Sequence, residues 1–339
     1  MKRPVYRPGY GIPYPVWAQQ QEQSLALRHD GTRIGVMIVA LMILHRYLFS
    51  FVITVLTYGG VFDWAYISDD FLGLGNTVYL LFYGLIYAAI MGLPLLAGRL
   101  AGFRHDPWGD RGNIAPADAF FGLLMAVGLA MVANYISEYV QIFLYQFGVE
   151  PPAFSEMMVD TTESFLLNLL VIAALPALLE EGFFRGMVLR PLRRYGDRFA
   201  ILMSAALFGL MHLNPVQIPF AFMLGLVIGW LYCVTDSIWL GVAVHFANNA
   251  FSVAMDYAGM RLADSQLNAF YVVVMSTVGV IGAIAFLVLR ALKSPLLTLR
   301  AERPLLPVKA RLSALFRSPA FTVSVLVMVF MTIWEQVVG

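Results

Sequence analysis

The stretch SFLLNLLVIAALPALLEEGFFRGMVL, residues 164–189, decides the fold of this chain. It is long enough to cross a bilayer as a helix, which takes about 20 apolar residues. It nevertheless contains Glu180, Glu181 and Arg185. Ionisable side chains inside a membrane span are costly and by default mark a functional site. The stretch therefore predicts a transmembrane helix that carries part of a site.

Similar apolar runs recur along almost the whole chain. The composition agrees with this, because 60% of the 339 residues are hydrophobic and only 13% are charged, whereas soluble proteins are about 25% charged. The nine runs lie at 34–57, 71–98, 117–147, 164–189, 199–213, 216–235, 237–256, 268–291 and 320–338. We therefore predict an integral membrane protein: an all-α, polytopic transmembrane helix bundle of about eight to nine spans.

The bundle is predicted to cover residues 34–292. Residues 1–33 are rich in Pro and Tyr, which predicts a cytoplasmic tail. Residues 293–319 form a basic cytoplasmic segment, and 320–339 are predicted to form an additional C-terminal span.

The basic residues predict the orientation of the bundle. If the N-terminus is inside, every Lys and Arg except Arg46 and Arg261 falls in a cytoplasmic segment. An excess of Lys and Arg on the cytoplasmic side is the rule for membrane proteins.

The net charge of +1 excludes a strongly basic nucleic-acid binder, and the single Cys233 excludes a disulfide framework. Membrane lipids are expected partners, and nucleic acid is not.

Three pairs of residues four positions apart lie on three different predicted spans: Glu181 with Arg185, Phe208 with His212, and His245 with Asn249. This spacing puts both members of a pair on one helix face. Counted from the nearest charge at the cytoplasmic side, Glu180 lies about 15 Å, His212 about 21 Å, and His245 and Asn249 about 13 and 20 Å along their helices. A carboxylate, two imidazoles and an amide are therefore predicted to meet at a similar depth.

Such a set suits hydrolysis by an activated water. A carboxylate can act as general base, and a histidine can orient the water or carry a proton. A second histidine and an Asn amide can donate hydrogen bonds to a developing oxyanion. Pro176, one turn before Glu180, removes a backbone donor; it either opens the helix to water beside the carboxylate or only kinks it.

The three pairs resemble the motifs of one family, the CAAX protease and bacteriocin-processing family, also called the Abi family. Glu180-Glu181-Gly-Phe-Phe-Arg185 resembles its EExxxR motif, Phe208-Gly-Leu-Met-His212 its FxxxH motif, and His245-Phe-Ala-Asn-Asn249 its HxxxN motif. The motifs occur in the family's order, and the resemblance covers roughly residues 117–256, the predicted protease core.

The resemblance implies an intramembrane endopeptidase, similar to the type II CAAX prenyl endopeptidases of eukaryotes, that acts on a membrane-associated peptide or protein. It implies that Glu180 is the base acting on water and that His212 helps to hold this water. His245 and Asn249 are assigned to the oxyanion. The residues implied to support them are Glu181, Arg185 and Phe208.

Two points stay open in this interpretation. The family has been described both as metalloproteases and as metal-independent glutamate proteases. Glu180, His212 and His245 have the ligand types that suit zinc, but HExxH spacing is absent; we expect no cofactor. The other function classes are a non-catalytic membrane scaffold or bacteriocin-immunity protein, and a proton-coupled transporter. The expected location is the plasma membrane of a prokaryote, with the site accessible from the cytoplasmic side.

Overall fold

The computed structural model describes residues 14–63, 70–100, 103, 106–149, 159, 161–302 and 304–338. Within these residues the regular structure is helical and contains no strand. The main helices are α1 (Tyr14–Tyr58), α2 (Asn76–Leu100), α3 (Pro116–Tyr145), α4 (Thr162–Tyr195), α5 (Asp197–Met211), α6 (Gln217–Thr235), α7 (Trp239–Gly259), α8 (Asp264–Ala291), α9 (Val308–Phe316) and α10 (Pro319–Val338). The all-α prediction is confirmed, and each of the nine predicted apolar runs corresponds to one helix.

Six of the described helices are long and apolar enough to cross a membrane: α1, α2, α3, α4, α6 and α8. The pair α9 and α10, bent by 86°, would make a seventh if it forms one span. This number is roughly compatible with the eight to nine spans predicted. Helices α5 and α7, which also correspond to predicted runs, do not pass the test of length and apolarity for two physical reasons. Helix α5 is short, and the polar side chains of His245, Asn248 and Asn249 reduce the apolar character of α7.

The described part of the predicted tail is helical and packs against the bundle. Helix α1 begins at Tyr14, and the side chains of Leu27 and Asp30 are buried. Asp30 accepts a hydrogen bond of 2.8 Å from the Tyr195 hydroxyl and forms an ion pair with Arg194. This end of α1 is therefore attached to the end of α4. Residues 1–13 of the predicted tail lie outside the described residues.

Helix α4 is central to the part of the bundle that holds the three motifs. It contacts α2, α5 and α7, while α3 packs against α6 and α8, and α1 packs against α2 and α10. Small residues allow the closest crossings, as in many membrane bundles. At the crossing of α3 and α8, a Cβ added to Gly128 would lie 2.7 Å from the Cα of Gly282.

Helix α4 is irregular where it carries the first motif. It has π-helical turns at Leu169–Ala174 and Gly182–Leu189, separated by the α-helical segment Leu175–Glu181. Single π turns inside helices occur frequently at functional sites. The two glutamates thus end a short regular segment between two distorted ones.

Candidate active site

Glu180 and Glu181 are both buried, with 7% and 0% of their surfaces exposed. Because consecutive residues of a helix point in different directions, the two carboxylates contact different neighbours. Glu180 accepts a short hydrogen bond from the hydroxyl of Tyr87 on α2. Glu181 faces Arg185 on its own helix and His245 on α7. The two carboxylates therefore have different hydrogen-bond partners, although both lie beside His245.

The pair predicted from spacing, Glu181 and Arg185, is present and fully buried. Nε of Arg185 lies 3.0 Å from Oε2 of Glu181. The guanidinium also lies over the ring of Phe208, 4.9 Å from its centroid, and Nη2 donates to the Gly225 carbonyl at 3.4 Å. The opposite charges offset part of the cost of burying each group.

His245 contacts both glutamates. Its Nδ1 lies 2.9 Å from Oε1 of Glu181, and its Nε2 lies 3.8 Å from Oε2 of Glu180. Because an ionised carboxylate only accepts hydrogen bonds, the network assigns a proton to Nδ1. Glu181 therefore binds Arg185 with one oxygen and fixes the His245 ring with the other.

His212 lies at the C-terminal end of α5, where its side chain turns back on the helix. Its Nδ1 lies 2.9 Å from the carbonyl oxygen of Phe208. A carbonyl only accepts, so Nδ1 carries the proton and Nε2 of the neutral ring is an acceptor. The ring of Phe208 contacts both imidazoles edge-on, with centroid distances of 5.1 Å to His212 and 5.7 Å to His245. Phe208 thus brings the second and third motifs together.

Asn249 is attached to α4 beside the proline that the sequence singled out. Its Nδ2 donates to the carbonyl of Ile172 at 3.2 Å. In a regular helix this carbonyl would accept from the residue four positions later, which here is Pro176 and has no N–H. The amide of Asn249 therefore donates to a carbonyl that cannot form an α-helical bond to residue 176.

A chain of side-chain amides leads from Asn249 to α3. Nδ2 of Asn248 donates to Oδ1 of Asn249 at 3.3 Å, and Nδ2 of Asn134 donates to Oδ1 of Asn248 at 3.1 Å. These bonds define which end of each amide is the donor. With Oδ1 of Asn249 occupied, its Nδ2 is directed to Ile172 and has one further N–H to offer.

Sequence reasoning missed two residues that contact this cluster, Tyr87 on α2 and Asn134 on α3. Neither belongs to one of the three motifs. Each lies in an apolar run that carries other residues of similar type, so its position alone gave no signal.

The loop before α3 closes one side of the first motif. The indole nitrogen of Trp108 donates to the carbonyl of Leu178 at 3.0 Å. A Cβ added to Gly182 would lie 2.6 Å from this indole nitrogen, and one added to Gly186 would lie 2.6 Å from the carbonyl oxygen of Pro107. The two glycines let the loop approach the helix closely.

The candidate zinc ligands are not arranged as a metal site. Among the residues that the structure describes, no three His, Cys, Asp or Glu side chains are grouped so that they could hold a metal ion. Nδ1 of His245 is engaged by Glu181, which leaves Nε2, 3.8 Å from Oε2 of Glu180, as its free ring nitrogen. As placed, Glu180, His212 and His245 do not fit a three-ligand zinc centre.

Together these side chains form a buried site with one uncommitted carboxylate oxygen. Oε2 of Glu180 is buried and has no hydrogen-bond partner within the described part of the chain. Buried polar atoms are normally satisfied, by protein or by water. The oxygen can therefore accept a proton from a water, next to an imidazole.

Comparison with known proteins agrees with the motifs. The family described as Type II CAAX prenyl endopeptidase Rce1-like matches residues 162–251. A protein of Bacillus subtilis (strain 168) named "Putative membrane peptidase YdiL" is 24% identical over 134 residues, which cover 39% of this chain and 54% of that protein. The chain thus spans about half the length of this relative. No solved structure matches the chain significantly. All three motifs lie within the matched region, so residues 162–251 are similar to the family of type II CAAX prenyl endopeptidases.

Proposed function

We propose that this protein is an intramembrane endopeptidase that hydrolyses a peptide bond of a membrane-associated protein or peptide. Glu180 is the base that activates water. The observation that carries the proposal is the state of Oε2 of Glu180, which is buried, without a hydrogen-bond partner among the described residues, and 3.8 Å from Nε2 of His245. A carboxylate oxygen in this position can take a proton from water.

In the proposed reaction one proton moves from the water to Glu180 and then to the leaving nitrogen. As the water oxygen bonds to the carbonyl carbon, Oε2 of Glu180 takes the proton, and the electron pair of the C=O double bond moves to its oxygen. When this pair returns, the C–N bond breaks, and Glu180 gives its proton to the leaving nitrogen. The carboxylate is thereby regenerated, as general acid–base catalysis requires.

His212 and Asn249 have free groups suited to the two other tasks. Nε2 of His212 is a hydrogen-bond acceptor, since Nδ1 is directed to Phe208, and it can orient the attacking water. The second N–H of Asn249 can donate to the oxyanion. Nδ1 of His245 faces Glu181, so His245 can donate a second hydrogen bond to the oxyanion only when Nε2 is protonated as well as Nδ1.

The proposal includes a metal-independent mechanism and access from the cytoplasmic side. The first is supported by the grouping of the described side chains, in which no three His, Cys, Asp or Glu are placed to hold a metal ion. The second is supported by Arg193, Arg194 and Arg198, which lie where α4 meets α5; the bias of basic residues assigns such a junction to the cytoplasm. We place the protein in the plasma membrane of a prokaryote.

The test is peptide cleavage by the purified full chain in detergent. Membrane fractions supply the substrates, and mass spectrometry identifies the products. Glu180→Gln and His212→Ala should abolish products that the wild type forms. Glu163→Gln, an exposed carboxylate on the same helix α4, should leave them unchanged. Identical product sets from all four proteins would reject the proposal and favour the scaffold alternative.

A further inference from the structure

Tyr87 contacts the proposed base from outside the three motifs. It lies on α2, far from the matched region 162–251, and its hydroxyl donates to Oε1 of Glu180. The ring is partly buried and stacks on that of Tyr83, one turn earlier, with centroids 6.4 Å apart and planes inclined by 23°. The contact joins a helix of unassigned role to the centre of the site.

The packing of α2 against α4 brings the phenol to the carboxylate. Gly84, which is buried and three residues before Tyr87, faces Val171 on α4. A Cβ added to Gly84 would lie 3.1 Å from Cγ2 of Val171, so a larger residue would separate the helices. The close approach places Tyr87 within hydrogen-bond distance of Glu180.

We infer that Tyr87 is a positioning residue, which holds Oε1 of Glu180 and thereby leaves Oε2 as the oxygen that takes the proton. The inference rests on the proposed function. The terminal torsion of a glutamate is broad and roughly two-fold, so the two oxygens exchange easily unless one is held. Here Oε1 is bonded to Tyr87, whereas Oε2 has no partner among the described residues and faces His245.

The hydrogen bond suits both states of the base. When Glu180 is ionised, the phenol donates to Oε1. When Oε2 has taken the proton from water, Oε1 is the carbonyl oxygen of the acid and still accepts the same bond. Tyr87 therefore keeps its own proton throughout the reaction, and the carboxyl group keeps its orientation between the two proton transfers.

The kinetic test compares Tyr87→Phe with the wild type and with Tyr83→Phe. Tyr87→Phe retains the ring and loses only the hydroxyl, so kcat should fall roughly 10- to 100-fold, the effect of one hydrogen bond to a charged group. KM should remain unchanged. Tyr83→Phe removes a hydroxyl one turn away and should retain wild-type kcat. An unchanged kcat in Tyr87→Phe, or a change confined to KM, would overturn the inference.

A spectroscopic test does not need activity. With 3-fluorotyrosine incorporated at position 87, the ¹⁹F resonance should shift in Glu180→Gln, because the phenol then faces an amide. The control Glu163→Gln should leave the resonance in place. If Glu180→Gln also leaves it in place, the contact is absent and the inference fails. If the resonance shifts in Glu180→Gln but the wild type shows no peptidase activity, the contact between Tyr87 and Glu180 is present and the proposed function is rejected.

Discussion

Nδ1 of His245 lies 2.9 Å from Oε1 of Glu181, while the other oxygen of Glu181 lies 3.0 Å from Nε of Arg185. One fully buried carboxylate therefore links the first and third motifs. Arg185 thus offsets the charge of the carboxylate that orients His245. In the proposed reaction we expect Glu181 to act through these partners and not by contact with substrate.

The first prediction concerns this ion pair. Glu181→Gln leaves the guanidinium of Arg185 buried without its counter-charge, which typically costs about 3–5 kcal/mol. We expect a clear fall in the unfolding temperature in detergent, together with loss of activity. Arg185→Met should do the same. The double variant should lose less stability than the sum of the two, because no charge is then left alone. Strict additivity would show that the two residues are not coupled.

The second prediction concerns the proline in α4. Pro176→Ala restores a backbone N–H four residues after Ile172, which can then bond to the Ile172 carbonyl in place of Asn249. We expect equal or higher stability, since proline inside a helix is costly, but a lower kcat, because the amide of Asn249 is no longer held. A variant with wild-type kcat would show that the Ile172 bond does not position Asn249.

The three motifs could be predicted from the sequence because the members of each motif lie within one turn or two of a single helix. A spacing of four on a helix fixes the relation of Glu181 to Arg185 before any tertiary contact is known. The same holds for Phe208 and His212. The polar character of these positions within apolar runs then marks them as a site.

The partners of these motifs on other helices could not be predicted from the sequence. Tyr87 and Asn134 join the site only because α2 and α3 pack beside α4 and α7, and nothing local distinguishes them from other Tyr and Asn residues in apolar runs. The π turns were equally hidden, since the sequence shows only Pro176 near one of them. The predicted eight to nine spans are roughly compatible with the six to seven candidate spans, and the difference lies in α5 and α7, which are helical but too short or too polar to be counted by length and composition alone.

The third prediction concerns the glycine inside the first motif. In Gly182→Ala the new Cβ would lie 2.6 Å from the indole nitrogen of Trp108, which is held by its bond to Leu178. We expect a loss of about 1–3 kcal/mol from overpacking, seen as a lower unfolding temperature. Gly92→Ala on α2 is the control, because its Cβ would meet open space, and it should be neutral or slightly stabilising. Equal behaviour of the two variants would contradict the close packing of the loop.

The last prediction separates a water-activating histidine from a metal ligand. Among the described residues, His212 makes one side-chain hydrogen bond, from Nδ1 to the carbonyl of Phe208. His212→Ala should therefore leave the unfolding temperature nearly unchanged and lower kcat by roughly 10²–10⁴. His29→Ala, an exposed histidine on α1, should change neither. A chelator should leave wild-type activity intact, and the purified protein should contain no stoichiometric zinc. If chelation abolishes activity and zinc restores it, Nε2 of His212 coordinates a metal instead of a water. The described side chains must then move closer together, because no three of them are grouped to hold a metal ion.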